Sequence, residues 1–551
     1  MPKITISEKD LTTPSIEEIG NNIAYVPGYA IMGSVNTPTL CTTLDEFQKI
    51  FGTVPYVFKT TQAYPSNFAE AAKPTSAFIL KDDAEKSYIE ACELLRNGLP
   101  VLFERVMAEN KIDSWTAKAE IPFLPEDGAE TSSASLIISA KNPGAYGNRI
   151  GYAITALTPV SGSTHPGFDI TLALAKGNGI AESINEEFVI NFDPTSENYY
   201  ANIESSLVDF TITGTISNEE LDLTTSSGEL AVSADVATDE FLAQDLYDIM
   251  DAESNDLFSK LVDKTLYDLK FISSGAYPTF EYNSNSIVTK LLKAAANRGD
   301  AIALVDHTNK SDRALSPTDN SSVYAKLQAL PEIIVGNVDT QEDARKYGAM
   351  FTPYAIYKPT TFGGNIVLPA SFAYLNSLAV SVRTNENWYA IAGVTRGLIP
   401  NFVQPVQLIS GALAESYQKE DAISINPIIN VRQYGYCIWG NRTLNKDNGL
   451  VASSFLNIRA LSNDVKKLVY KVAKELTFEL NSDILWLTFR SKIEPTLDRM
   501  VSGNGLSAYK VIRKATTERA TIKAIIRLYA IEAVENWDIT IELADSYVSV
   551  E

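Results

Sequence analysis

Short, mostly apolar runs alternate with helix-patterned stretches in two separated parts of this chain. That pattern restricts its folds more than any other feature. Val101-Leu102-Phe103, Leu269-Lys270-Phe271-Ile272 and Ala301-Ile302-Ala303-Leu304-Val305 read as strands. They lack the apolar–polar alternation of a half-exposed strand, as strands of a parallel sheet covered on both faces do. Between them lie helical periods. From Asp83 to Asn97, Tyr88, Cys92 and Leu95 recur at i, i+4 and i+7, and Gly98 supplies a stop. Ser286 to Asn297 reads as a second helix, and Pro369 opens a third that runs to about Val382. Ile23-Ala24-Tyr25-Val26, Tyr29 to Gly33 and Met350 to Tyr357 are further predicted strands, with a short helix from Asp45 to Phe51 ended by Gly52. Apolar strands interleaved with helices predict a mostly parallel, doubly covered sheet.

Between these parts, from about Ile112 to Ser259, the character changes to Thr, Ser, Gly and short alternating segments such as Ser135 to Ile138, Phe168 to Leu172 and Phe188 to Ile190. A β-rich domain is expected there. Its charge is one-sided: Gly177 to Ser259 holds nineteen Asp or Glu and no Lys, Arg or His. Val431 to Arg527 is the opposite, with 17 Lys or Arg against 8 Asp or Glu. An acidic field repels phosphate, which excludes nucleic acid as a partner for the first of these stretches. The asymmetry fits one face turned to solvent and another turned to an acidic partner; two unrelated solvated surfaces would look the same. At 551 residues the chain has room for three or four domains. The widely spaced Cys41, Cys92 and Cys437 suit a reducing compartment, and Met1 to Ile6 has no basic region followed by an apolar core, so no secretory signal is expected. No apolar run reaches the roughly 18 residues of a membrane span, so no membrane insertion is expected.

The last part opens with Ile425-Asn426-Pro427-Ile428-Ile429, where Asn-Pro is a turn signal, and a short aromatic strand follows through Tyr436, Ile438 and Trp439 to Gly440-Asn441. Asn463 to about Phe478 reads as a helix with an apolar stripe of Val465, Leu468, Val469, Val472 and Leu476; Lys466, Lys467, Lys471 and Lys474 sit off that stripe. Ser482 caps a second helix with the buried line Leu485, Phe489, Ile493 and Leu497; Pro495 bends it and Gly503-Asn504-Gly505 ends it. Strands from Tyr509 to Arg513 and Thr521 to Val534 follow. Trp537, Ile539, Ile541 and Leu543 alternate with Asp538, Thr540 and Glu542 in the cleanest period-2 pattern of the chain. Ile4 and Ile6 form a shorter alternation at the other end, in a stretch read as an extended arm.

No pattern of residues carries catalysis or a cofactor. His165 lies in a Ser-Gly-Ser-Thr-His-Pro-Gly loop and His307 follows Asp306 at a strand end, where α/β enzymes bind ligands. Asp306-His307 lacks a nucleophile, because no Gly-x-Ser-x-Gly turn is present. Asn142-Pro143-Gly144-Ala145-Tyr146-Gly147-Asn148 is glycine-rich but has no Lys-Ser/Thr after it, and the acidic stretch has no calcium-loop spacing. No catalytic, cofactor-binding or metal residue is expected. Two other readings stay open on the residues alone: an α/β hydrolase-like enzyme with a β-rich accessory domain, and a static shell or adhesin protein.

Several segments together resemble the contractile tail sheath family. Near the start, Pro38, Leu44-Asp45-Glu46-Phe47 and Phe51-Gly52 are similar to that family, as are Leu95-Arg96-Asn97-Gly98 and Glu104-Arg105-Val106. The turn at Pro143-Gly144 with Gly147-Asn148 resembles its Pro-Gly-x-x-Gly-Asn element. Trp388, Ala390, Ala392, Gly393, Arg396 and Gly397 match its Trp-x-Ala-Pro-Ala-Gly-x-x-Arg-Gly segment, with Ile391 replacing the proline. Trp439-Gly440-Asn441-Arg442-Thr443-Leu444 matches its Trp-Gly-x-Arg-Thr-Leu block, and the last strand matches its C-terminal arm without the preceding proline. The resemblance implies an α/β and α+β multidomain fold: an α/β core formed by N- and C-terminal parts, a subtilisin-like α/β domain and a β-rich acidic insertion. The expected divisions are an N-terminal arm (1–22), core (23–111), acidic insertion (112–265), subtilisin-like domain (266–424), C-terminal α+β domain (425–536) and C-terminal arm (537–551). It implies a structural, non-enzymatic subunit that stacks as hexameric rings around an inner tail tube protein, beside baseplate and tail terminator proteins, in a virion tail assembled in the host cytoplasm. The arms (Ile4, Ile6, Trp537, Ile539, Ile541, Leu543) would then link subunits, and Lys466, Lys467, Lys471 and Lys474 would face the tube, with no direct nucleic acid contact.

Overall fold

The computed structural model describes residues 22–53, 83–123, 134–157, 167–176, 180–214, 223, 226–232, 243–251, 257–277, 286–306, 327–336, 341–360, 364–418, 422–446, 451–518 and 520–535. Eight strands form its central sheet, in the order Thr39–Cys41, Val101–Arg105, Ala24–Gly28, Phe271–Ser273, Ile302–Asp306, Gly348–Thr352, Asn426–Val431 and Gly435–Ile438. All the interior pairings are parallel, and an antiparallel strand closes each edge. The expected doubly covered sheet is therefore present, and it draws strands from three parts of the chain far apart in sequence. Every residue of Ala24–Gly28, Val101–Arg105, Ile302–Asp306 and Gly348–Thr352 is buried. One face packs under the helix Ser286–Arg298, and the other under Asp83–Arg96 and Ala370–Ser381. Only Val380 of Ala370–Ser381 escapes burial, as expected of a helix that is apolar all round.

Several expected elements differ. Tyr29 to Gly33 is a bent loop, because Arg105 supplies its hydrogen bonds: Nε donates to Ala30 O at 2.6 Å and Nη1 to Gly33 O at 2.8 Å. The strand expected over Met350 to Tyr357 is two strands. Pro353 has no N–H for a ladder, and Ala355–Tyr357 pairs in a separate three-stranded sheet. Asn426-Pro427 is the start of a strand, not a turn: Asn426 Nδ2 donates to Met350 O and Arg442 O, and its Oδ1 accepts from Arg442 N. The helix expected from Asn463 runs over Leu456–Glu475, because Asn463 and Asp464 are buried partners and not caps. Asn463 Nδ2 donates to Ala301 O, and Asp464 forms an ion pair with Lys270 at 2.8 Å in which both side chains are almost fully buried.

The β-rich part holds two antiparallel sheets over one shared core. One contains Lys118–Pro122, Ser135–Ala140 and Val208–Thr213; the other Ser227–Glu229, Ile150–Leu157, Gly167–Leu174 and Ile184–Ile190. Gly144 joins this body to the central sheet. Its φ is +143°, and an added Cβ would lie 2.5 Å from Ile31 O and 2.7 Å from Arg105 Nη2. The acidic stretch does not lie wholly in this part. Ala243–Asp251 and Leu257–Val262 are helices whose Leu246, Ile249, Met250, Leu257 and Leu261 pack on the central core, at helical spacing.

At the C-terminal ends of the parallel strands, Asp306 Oδ1 accepts from Ser371 N at 2.9 Å and so caps the helix that Pro369 precedes. Burial pushes its carboxyl up to about 7. Burial, then the charge of Asp306, also raises Glu90, whose carboxyl oxygens have no hydrogen-bond partner among the described residues. Both folded values lie above the ordinary carboxylate range, so the stability they contribute is complete below that range. The part due to Asp306 is lost as pH rises through about 7, and the part due to Glu90 is likewise lost on the alkaline side. Asp306→Asn keeps the acceptor for Ser371 N and removes the charge. It should raise unfolding stability by on the order of 1–3 kcal/mol at pH 8 and change it little at pH 4, read by denaturant titration.

Candidate assembly interface

The strands Leu506–Lys514 and Lys523–Ala530 form an antiparallel hairpin over the two long helices Leu456–Glu475 and Asp483–Ser502. Period-2 alternation divides its faces. Tyr509, Val511, Ile526 and Leu528 turn inward onto Leu461, Val465, Leu497 and Met500. The outward face sets Lys510 opposite Arg527, Ile512 opposite Ile525 and Lys514 opposite Lys523, and all four cations are exposed. Like charges placed directly opposite are destabilising, by up to about 1 kcal/mol a pair. Among the described residues neither strand has a second ladder partner, so the hairpin has two open edges. Beside Lys523–Ala530 lies a groove of about 760 Å³, lined in part by Val465, Val469 and Ala473 of the first helix and by Ala524, Ile526 and Leu528 of the strand.

Two of the segments singled out in the sequence converge where the chain leaves this hairpin. Trp388 is buried against the turn that enters it. Cβ atoms added at Gly503 and Gly505 would come within 2.5 and 2.7 Å of its indole ring, and Nε1 donates to Gly503 O at 2.9 Å. Asn457 Nδ2 donates to Trp388 O, and Asn441 Nδ2 donates to Asn457 Oδ1, so the second segment is tied to the first. Trp439, expected inside a strand, lies just beyond Gly435–Ile438 and is 44% exposed. Arg442 lies over the Phe455 ring and forms an ion pair with Glu535. Its guanidinium is buried, and burial raises the Glu535 carboxyl above the usual range while Arg442 opposes the rise. Trp388, Tyr389, Arg396 and Trp439 line one side of a cavity of about 420 Å³; Ile531 to Glu535 line the other. The departing chain is thus laid across that cavity and held at Glu535, immediately before the expected arm.

The other predicted residues are placed as follows. Ile4, Ile6, Trp537, Ile539, Ile541 and Leu543, with His165 and His307, fall outside the described residues. Lys466 Nζ donates to Gly299 O and to Tyr347 OH, and burial lowers its pKa to about 8. Lys467 pairs with Asp268. Both ammonium groups are therefore engaged within the subunit, where carboxylates and carbonyls of the neighbouring body face the helix. Lys471 and Lys474 lie further along, on the exposed surface. The turn beyond them exposes Phe478 and Leu480, and the first turn of the next helix exposes Ile484. Sequence reasoning missed Arg442–Glu535, whose partners are 93 positions apart. It also missed the facing cations, since alternation reveals a strand but not its register. All three cysteines are buried and free. Among the described residues no group of three or more His, Cys, Asp or Glu could hold a metal, and no helix is long and apolar enough to cross a membrane.

No protein-family profile matches the chain. The tail sheath protein of Vibrio phage KVP40 is 27% identical over 147 residues, which are 26% of this chain and 21% of the relative. The tail sheath protein of Enterobacteria phage T4 is 26% identical over 140 residues, 25% of this chain and 20% of the relative. Over that stretch the chain is similar to tail sheath proteins. The match spans only about a fifth of each curated relative's length. The sheath tail protein of Listeria innocua shares the fold: it aligns over 93% of this chain and 96% of its own with a TM-score of 0.52 at 11% identity. That sheath fold is a mixed α/β one with several sheets.

Glu535→Ala should release the chain that crosses the cavity while leaving the hairpin folded. A local loss of about 1.4–3 kcal/mol predicts roughly ten- to hundredfold faster hydrogen exchange at Ile531 to Val534. Exchange within Leu506–Lys514 should stay unchanged in the same measurement.

Proposed function

We propose that this chain is a structural, non-enzymatic subunit of a contractile tail sheath in a virion tail, assembled in the host cytoplasm. Subunits polymerise as stacked hexameric rings around an inner tail tube protein, between baseplate and tail terminator proteins. The sleeve then contracts to drive the tube through a cell envelope, without binding nucleic acid directly or entering a membrane. The curated relatives support this reading, since both are named tail sheath proteins. The observation that carries it is the open-edged hairpin beside a groove lined in part by apolar side chains, next to the point where the C-terminal chain departs.

Contraction requires neighbours to shift without separating, which a donated strand allows: main-chain hydrogen bonds give affinity and alternating side chains set register. The arms carrying Ile4 and Ile6, and Trp537, Ile539, Ile541 and Leu543, pair with the C-terminal hairpin region of neighbouring subunits. Lys471 and Lys474 face the tube, beside the exposed Phe478 and Leu480. Lys466 and Lys467 would have to leave Gly299, Tyr347 and Asp268 to join them. The segments 112–265 and 266–424 are an acidic insertion and a subtilisin-like domain in this reading. Removing residues 1–20, or 537–551, should abolish polymerisation while the monomer keeps its cooperative unfolding. Electron microscopy and thermal melting check this together, and truncated protein that still builds full-length sleeves overturns the donated strand.

A further inference from the structure

The helix Asp83–Arg96 covers one face of the central sheet, yet it carries buried polar side chains toward the strand ends. Ser87 Oγ accepts from Ala276 N at 2.8 Å, just past the strand Phe271–Ser273. Further along the helix, Glu93 Oε2 accepts from Thr360 Oγ1 and from Asn401 Nδ2, each at 3.2 Å. Glu90 lies between these two contacts, three residues from each. Its side chain is fully buried, and its carboxyl oxygens have no hydrogen-bond partner among the described residues.

Three groups from other elements meet Glu90 there. Asp306 ends the strand Ile302–Asp306, and its Oδ1 accepts from Ser371 N in the first turn of Ala370–Ser381. Tyr357 ends the strand Ala355–Tyr357, three residues before Thr360, and its ring packs edge-on against Phe372 at 5.0 Å. Asp306, Tyr357 and Ser371 are fully buried as well. The Tyr357 and Ser371 hydroxyls have no hydrogen-bond partner among the described residues. Burial and then the charge of Asp306 raise Glu90; burial and then the charges of Asp306 and Glu90 raise the Tyr357 hydroxyl, so these groups lie close together.

Two carboxylates and two hydroxyls thus face one another inside the core. A buried carboxylate is costly unless it is paired or binds a metal. Every donor here is an oxygen, which suits a hard cation, and two negative charges suit a divalent one. Calcium accepts about six to eight oxygens in irregular arrangements, including both oxygens of one carboxylate. Magnesium demands a near-ideal octahedron and keeps several waters, which a sealed site does not favour. No calcium-loop spacing reveals such a site, because its ligands sit on four separate elements. We propose that Glu90 and Asp306, with the hydroxyls of Tyr357 and Ser371, bind a calcium ion that ties the helix Asp83–Arg96 to the strand ends. The site lies within one subunit, so it does not depend on the sheath reading.

The test uses the full chain at pH 8 after treatment with a chelator. Terbium, which occupies calcium sites and emits when a nearby tyrosine is excited, should bind with a single saturating equivalent. Calcium should displace it, and magnesium should do so far less readily. Glu90→Gln and Asp306→Asn should each weaken that equivalent by at least about tenfold, the loss that follows even from removing a metal ligand's outer partner. In chelator both variants should melt no lower than the wild type, since each removes a buried charge, which separates lost binding from misfolding. Calcium should raise the melting midpoint of the wild type and leave both variants unchanged. Terbium binding that never saturates, or that is equally strong in both variants, would mean adsorption to the acidic surface and overturns the site. A wild-type midpoint that ignores calcium, with both variants more stable at pH 8, would mean that protons alone neutralise the pair and overturns it too. Displacement by magnesium as readily as by calcium overturns the assignment to calcium.

Discussion

The parallel ladder at the centre of this protein is the constraint on which the rest depends. Parallel strands have no exposed face to spare, so each needs a cover above and below and a neighbour on both sides. Here those neighbours come from residues 24–105, 271–352 and 426–438, and no one of these stretches can complete the sheet alone. The β-rich body leaves this frame between Val101–Arg105 and Phe271–Ser273 and returns to it, which limits its attachment to a small contact region. Arg105 secures that region from beneath by bonding the carbonyls of Ala30 and Gly33, and Gly144 leaves the space for its guanidinium.

The C-terminal part depends on the same frame. The helix Leu456–Glu475 runs from the sheet's edge to the hairpin, and its buried Asn463 and Asp464 tie it to Ala301 and Lys270 near the strand starts. A buried ion pair contributes little net stability once desolvation is counted, but it admits one arrangement of the two bodies. The helix therefore carries the hairpin at a defined position relative to the sheet. Trp388 does the same from the other side, by packing on Gly503 and Gly505 at the hairpin's entry. The proposed function calls for such a support, because an edge that drifts loses register with whatever strand it accepts.

Charge is divided unevenly along the chain. Within the acidic stretch Glu187 on Ile184–Ile190 and Asp248 on Ala243–Asp251 are exposed, while the hairpin gathers cations on its outward face. Long-range attraction between unlike surfaces speeds encounter and disfavours wrong partners, and salt screens it over about 8–10 Å. Groups already satisfied within the subunit, such as Lys466 and Lys467, take no part in that long-range recognition at equal strength.

The strands and helices of the central sheet were largely legible in the sequence, because burial on both faces leaves apolar runs and because Gly52, Gly98 and Pro369 mark helix ends by their backbone chemistry. The resemblance to sheath proteins was legible too, in short segments whose order mattered more than any single match. What the sequence could not show was which distant groups would satisfy one another. Tyr29 to Gly33 looked like a strand until Arg105 supplied its hydrogen bonds, and the helix read from Asn463 starts at Leu456, with Asn463 buried and bonded to Ala301. The facing cations and the Arg442–Glu535 clamp arise from register and from the meeting of segments up to 93 positions apart. Local pattern determines what each segment can become; only the tertiary structure decides which polar groups meet, because that depends on distances no single segment contains.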